Sequence, residues 1–117
     1  MLDRRKIDEG LALFNAGKFY DAHEALEDAW REMSGDDRRF LQGLIQVAAA
    51  FHHYSTGNPT GARSLLARGA SQLDDAPDVF LGVSMPPLRA ALRQWQAALA
   101  EGSPVPPLPR LQRAGEC

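Results

Sequence analysis

Cysteine is nearly missing from this sequence. The single one, Cys117, has no partner for an internal disulfide, which is the usage expected of a reducing compartment. No apolar run approaches the 18 or so residues of a membrane span. A charge excess of either sign is lacking too. The 13 lysines and arginines against 15 aspartates and glutamates leave a formal charge of -2, without the basic field that attracts nucleic acid or an anionic membrane. Neither is expected as a partner. Met1 to Lys6 mixes charges and has no apolar stretch of the kind a secretory leader carries, so the expected location is cytoplasmic. There is no phosphate-binding glycine loop: Gly57 and Gly61 surround Asn58-Pro59 and read as turn and close-packing residues.

What is present is helical periodicity. With 117 residues, 44% of them hydrophobic and 24% charged, the chain can bury one core without disulfides or metal as staples. Ile7, Leu11 and Phe14 recur at helical spacing, predicting a first helix from about Asp3, a ready N-cap, to Ala16. Gly17 ends it. A second helix follows to about Ser34, and Ser34-Gly35-Asp36 supplies a stop and a new start. The third, about Asp37 to Ser55, is apolar in most directions through Phe40, Leu41, Leu44, Ile45, Val47, Ala48 and Phe51, so it is the expected centre of the molecule. Asn58-Pro59 opens a fourth, which carries Ala62, Leu65, Leu66, Gly69 and Leu73. After a loop from Asp75 to Met85, a last helix places Leu88, Ala91, Leu92, Trp95 and Leu99 on one face and ends at Gly102. Four prolines follow between Ser103 and Cys117, predicting an extended tail.

Gly17 and Gly57, Ala22 and Ala62, Leu26 and Leu66 are each 40 residues apart, so a helix, a glycine turn and a second helix occur twice. The plan is similar to the tetratricopeptide pattern. The expected fold is therefore all-α: a compact bundle of about five helices, two helix-turn-helix hairpins plus a C-terminal capping helix. A single helical domain over 1–102 and a proline-rich tail over 103–117 are expected.

The chemistry concentrates on the second helix. Phe19, Ala22, Leu26, Ala29, Trp30 and Met33 share one apolar arc, with His23 at its edge and Glu27 one step round, while Glu24 and Asp28 face away. On the third helix Gln42, Gln46 and His53 form a polar stripe within about 40°. Antiparallel packing across the Gly35 turn brings Glu27 towards Gln46 and His23 towards His53. Three uses follow: a buried hydrogen-bonded network; a divalent metal site, zinc or iron, on His23, Glu27 and His53; or metal-free acid–base catalysis by His23 with Glu27. His52 lies on the other side and reads as a core histidine, and Trp30 and Trp95 have the spacing of core anchors, with the lining of a groove as the alternative for either. Arg38 and Arg39 can pair with Asp36-Asp37, or Arg39 can reach Glu27 or an anion.

His23-Glu24-x-x-Glu27 lacks the second histidine of the H-E-x-x-H protease motif, leaving His23 and Glu24 as bare catalytic candidates. No Glu-x-x-His pair supports a di-iron bundle. Taken together, A-H-E-A-L-E-D-A-W at Ala22 to Trp30, R-F-L-Q-G-L-I-Q at Arg39 to Gln46 and H-H-Y-S-T-G-N-P-T-G-A at His52 to Ala62 resemble the family catalogued as domain of unknown function 309, over roughly Gly10 to Leu73. The resemblance implies a small helical bundle with His23, Glu24, Glu27, Trp30, Arg39, Gln42, Gly43 and His53 at signature positions, and no established activity. The functional expectation is a non-catalytic module that binds a protein partner or itself, as a homodimer, through a groove between hairpins or the tail. The alternative is a small metal-dependent hydrolase centred on His23, Glu27 and His53.

Overall fold

Helices form where the apolar spacing predicts them, and turn glycines end two of them at equivalent places. In the computed structural model, which describes residues 4–115, the chain runs α1 (Arg4–Asn15), α2 (Phe19–Trp30), α3 (Gly35–Ser55), α4 (Pro59–Leu73), β1 (Val79–Phe80), β2 (Val83–Ser84) and α5 (Met85–Glu101). The fold is all-α with one small ribbon. Asp3, expected as an N-cap, and Cys117 lie outside the described residues. Gly17 and Gly57 follow α1 and α3 with φ of 79° and 85°, a left-handed conformation that only glycine adopts without strain. One step before the α4 start, Asn58 accepts a hydrogen bond from the Gly61 amide at 3.0 Å, and Pro59 needs no donor there. α2 stops four residues short of Ser34, because Glu32 and Met33 turn back onto the carbonyls of Ala29 and Trp30.

The 40-residue repeat is real in space. Ala22 and Ala62, Leu26 and Leu66 are all buried at matching places in α2 and α4. α3 is the central rod, as its apolar wrap predicts. Phe51 stacks on Phe14 of α1, Phe19 of α2 and Trp95 of α5 with ring centroids 6.2, 5.4 and 5.0 Å apart, edge-to-face and tilted contacts that aromatic quadrupoles favour. α4 approaches α3 through two glycines: a Cβ on Gly69 would stand 2.8 Å from the Gly43 carbonyl oxygen and from Val47 Cγ2. Neither of these two positions has room for a side chain of its own.

The connection after α4 is not the plain loop the sequence suggests. β1 and β2 pair antiparallel, Val79 with Ser84 and Phe80 with Val83, around Leu81 and Gly82, both at positive φ, the geometry of tight hairpin turns. Phe80 packs on Phe40 at 5.7 Å. Arg89 fastens the segment, donating to the carbonyls of Leu73, Ala76 and Pro77 and to the Asp78 carboxylate. Residues 103–112 form no helix or strand, and the segment lies along the body before turning at Ala114 and Gly115: Leu111 is buried, and Arg113 bridges to Val83.

Candidate functional site

α2 and α3 leave a groove between them. Glu27 and Trp30 are three residues apart on α2, and Gln42, Ile45 and Gln46 share one face of α3, so antiparallel packing across the Gly35 turn sets the two groups opposite each other. These five side chains line a cavity of about 240 Å³. Glu27 and Gln46, expected to approach each other, border this groove together with Gln42. Trp30 is half-buried: it packs against the core from one side and walls the groove on the other; Arg38 covers its ring, with the guanidinium carbon 3.8 Å from the ring centroid. Two polar atoms in these walls lack partners: Trp30 Nε1 and Gln46 Oε1 are both inaccessible and make no hydrogen bond. An unpaired buried donor or acceptor costs about 1–3 kcal/mol. Both atoms belong to residues that line this one groove.

The rest of the expected constellation is arranged differently. His23 Nε2 lies 3.2 Å from Glu27 Oε2, and the other Glu27 oxygen is 3.2 Å from Arg31 Nη2. The side chains of His23 and Glu27 are 33% and 37% exposed, and no polar or charged residue is buried among the described residues. The buried His/Glu/Gln network is therefore corrected to a rim at the open edge of the groove. The reason is local: α2 is an outer helix, and positions beside its apolar arc face water.

His53 does not meet His23. It turns to the α4 cap, with Nδ1 3.2 Å from Asn58 Nδ2. His52 is the histidine that faces α2, stacked on Tyr20 at 5.3 Å, with Tyr20 in turn 6.3 Å from His23. His52 is thus half-buried at the α2–α3 seam and not a core residue. The correction follows from the stripe: Ile45 and His52 sit almost one above the other on α3, and His53 is about 100° further round. Among the described residues no group of three or more His, Cys, Asp or Glu side chains is placed to hold a metal ion, so His23, Glu27 and His53 do not assemble as ligands. Arg39 reaches neither Glu27 nor Asp36-Asp37; it pairs with Asp75 beyond α4 at 3.2 Å. Glu24 is exposed on the far side of α2.

A second concave site joins α1, β2 and the tail. The Asn15 amide binds both backbone atoms of Leu111, donating to its carbonyl at 3.1 Å and accepting from its N–H at 2.7 Å. Asn15 was not singled out from the sequence. Its signal was available: it lies one turn beyond Leu11 on the buried stripe of α1, where an amide needs a partner.

Two hairpins closed by a fifth helix make this a small helical-bundle domain, and known proteins share it. A solved structure of a conserved hypothetical protein from Thermus thermophilus matches with a TM-score of 0.67 and 34% identity, over 78% of this chain and 95% of that one. An uncharacterized protein of Aquifex aeolicus (strain VF5) is 29% identical over 99 residues, which is 84% of this chain and 30% of the relative. The uncharacterized protein YpuF of Bacillus subtilis (strain 168) is 38% identical over 68 residues, 57% of this chain and 39% of the relative. The chain thus spans well under half the length of these two relatives. Residues 7–65 match the family described as a domain of unknown function, DUF309, and the chain belongs to that family. Among the described residues no helix is long and apolar enough to cross a membrane.

Proposed function

We propose that this domain is a non-catalytic, tetratricopeptide-like interaction module of the cytoplasm, and that its α2–α3 groove takes a short segment of a protein partner. The observation that carries the reading is the unpartnered pair, Trp30 Nε1 and Gln46 Oε1, in the walls of one groove beside apolar Ile45. A peptide group offers a carbonyl that could pair with the first and an N–H that could pair with the second. Aromatic and apolar walls with a few polar groups are the usual make-up of such sites. The matched relatives' greater length supports a module that works beside other segments of chain. No observation favours the hydrolase alternative.

The test is a selection of random dodecapeptides displayed on phage against the intact protein, followed by binding measurements on the enriched peptides. Peptides that lose at least about 10-fold in affinity on Gln46→Ala or Trp30→Phe, roughly 1.4 kcal/mol, support the groove. Failure to enrich any peptide, or enrichment of peptides indifferent to both substitutions, overturns it.

A further inference from the structure

The tail is held in the manner of a bound peptide. Leu111 has both backbone polar atoms satisfied by the single amide of Asn15. Beyond it the chain adds to the edge of β2: the Ser84 N–H donates to the Gln112 carbonyl and the Ala114 N–H to the Gly82 carbonyl, each at 2.8 Å, with Val83 bridged to Arg113 in antiparallel sense. Before it, the Trp95 indole N–H donates to the Pro107 carbonyl at 3.0 Å. Every one of these contacts reads the tail's backbone. Leu111 is the fully seated side chain at 4% exposed, with Val105 partly buried against the core, while Leu108 is 50% exposed and Arg110 and Gln112 face outward. Strand addition to a sheet edge, with one apolar residue seated in a pocket, is an established mode of peptide recognition. Beside the seated leucine an open hollow of about 420 Å³ lies between α1 and the tail, with Asp8, Ala12 and Ala16 on one side and Arg110 and Leu111 on the other.

The approach to this seat is stiff. Ser103-Pro104-Val105-Pro106-Pro107-Leu108-Pro109-Arg110 carries four prolines, and a proline-rich segment stays extended at about 3.1 Å per residue. Such an arm can lie along its own body or reach outward, at little cost in its own conformation.

We propose that the site formed by α1, β2 and α5 is a peptide-binding site for segments of the 105–114 type, filled in cis by the chain's own tail and in trans by the tail of a second copy. Exchange forms no contact that is not already present, because each copy receives the Leu111 anchor and backbone bonds it gives up. The attached tail competes at an effective concentration in the millimolar range. An added tail therefore binds weakly until the resident one is loosened. This site is separate from the α2–α3 groove and does not depend on Trp30 or Gln46.

The experiment uses the full chain and a fluorescein-labelled peptide of residues 103–115, read by anisotropy. Leu111→Asp weakens the resident tail and leaves the site intact; Ala114→Pro does so without touching the core, since it removes only the donor to Gly82. Either variant, shown folded by circular dichroism, is expected to bind the peptide at least 10-fold more tightly than the unaltered protein. Adding Asn15→Ala to that variant is expected to reverse the gain. At millimolar concentration the unaltered protein is expected to show a dimer by analytical ultracentrifugation that Leu111→Asp lacks. A folded Leu111→Asp or Ala114→Pro protein that binds the peptide no better than the unaltered chain overturns the proposal. So does binding that ignores Asn15→Ala.

Discussion

Substituting alanine for Gly69 tests how closely α3 and α4 meet. In an open helix the change gains about 1 kcal/mol of helix propensity. Here the new Cβ stands 2.8 Å from the Gly43 carbonyl oxygen, 2.8 Å from Val47 Cγ2 and 3.1 Å from the Val47 nitrogen. Two of those neighbours are backbone, so no side-chain rotation relieves them. The helices must separate by about 0.7 Å to restore ordinary contact at about 3.5 Å. That movement loosens Val47 and Leu73, both buried and both packed at this crossing. Overpacking of this kind costs about 1–3 kcal/mol or more, and the propensity gain offsets part of it. The expected net loss is about 1–2 kcal/mol. For a domain of this size, that lowers Tm by about 4–10 °C. Urea and thermal unfolding followed by circular dichroism measure both quantities. Ala67→Gly, on the exposed face of α4, is the control and should lose about 1 kcal/mol through propensity alone. A Gly69→Ala protein more stable than the unaltered one would refute the close crossing.

Three more outcomes are expected. Arg89→Met removes the donor shared by the Leu73, Ala76 and Pro77 carbonyls and the Asp78 carboxylate; a loss of about 1–3 kcal/mol in urea unfolding is expected. Lysine should not restore it, because a single ammonium cannot span that fork. Trp30→Phe deletes an unpartnered indole N–H and should change stability by less than about 1 kcal/mol, whereas Trp95→Ala, a truncation at the centre of the core, should cost about 3–5; similar losses at both positions would contradict their different burial. Glu27→Gln disturbs pairs that are more than a third exposed and should shift the urea midpoint by less than about 1 kcal/mol equivalent. A larger loss would mean that the rim is structural.

The sequence was most legible where periodicity and glycine act together. Ile7, Leu11 and Phe14, or Leu88, Leu92 and Trp95, mark buried stripes, and Gly17, Gly57 and Gly102 sit at helix ends with positive φ. The repeat places both hairpins. What escaped was anything fastened through backbone. β1 and β2 are two residues each, too short for alternation to register, although Gly82 between apolar neighbours was a turn signal. The tail's seat depends on Asn15 and Trp95 reaching carbonyls almost a hundred and a dozen residues away, which no pattern records. Half of the polar constellation was legible: Glu27, Gln42 and Gln46 do border one groove. The histidine pairing was not, because one-residue steps on a helix turn by about 100°, enough to exchange His53 for His52 at the α2 seam.

The two tryptophans stand in unlike settings, and this gives the molecule a pair of built-in optical reporters. Trp95 is 1% exposed and its indole N–H is spent on Pro107, so its emission should be blue, shielded from acrylamide, and altered when the proline arm lifts away. Trp30 stands half-open under a guanidinium with an idle N–H, so it should quench readily and respond to whatever enters beside Gln46. A single unlabelled sample can thus distinguish arrival at one recess from departure at the other by which indole changes colour.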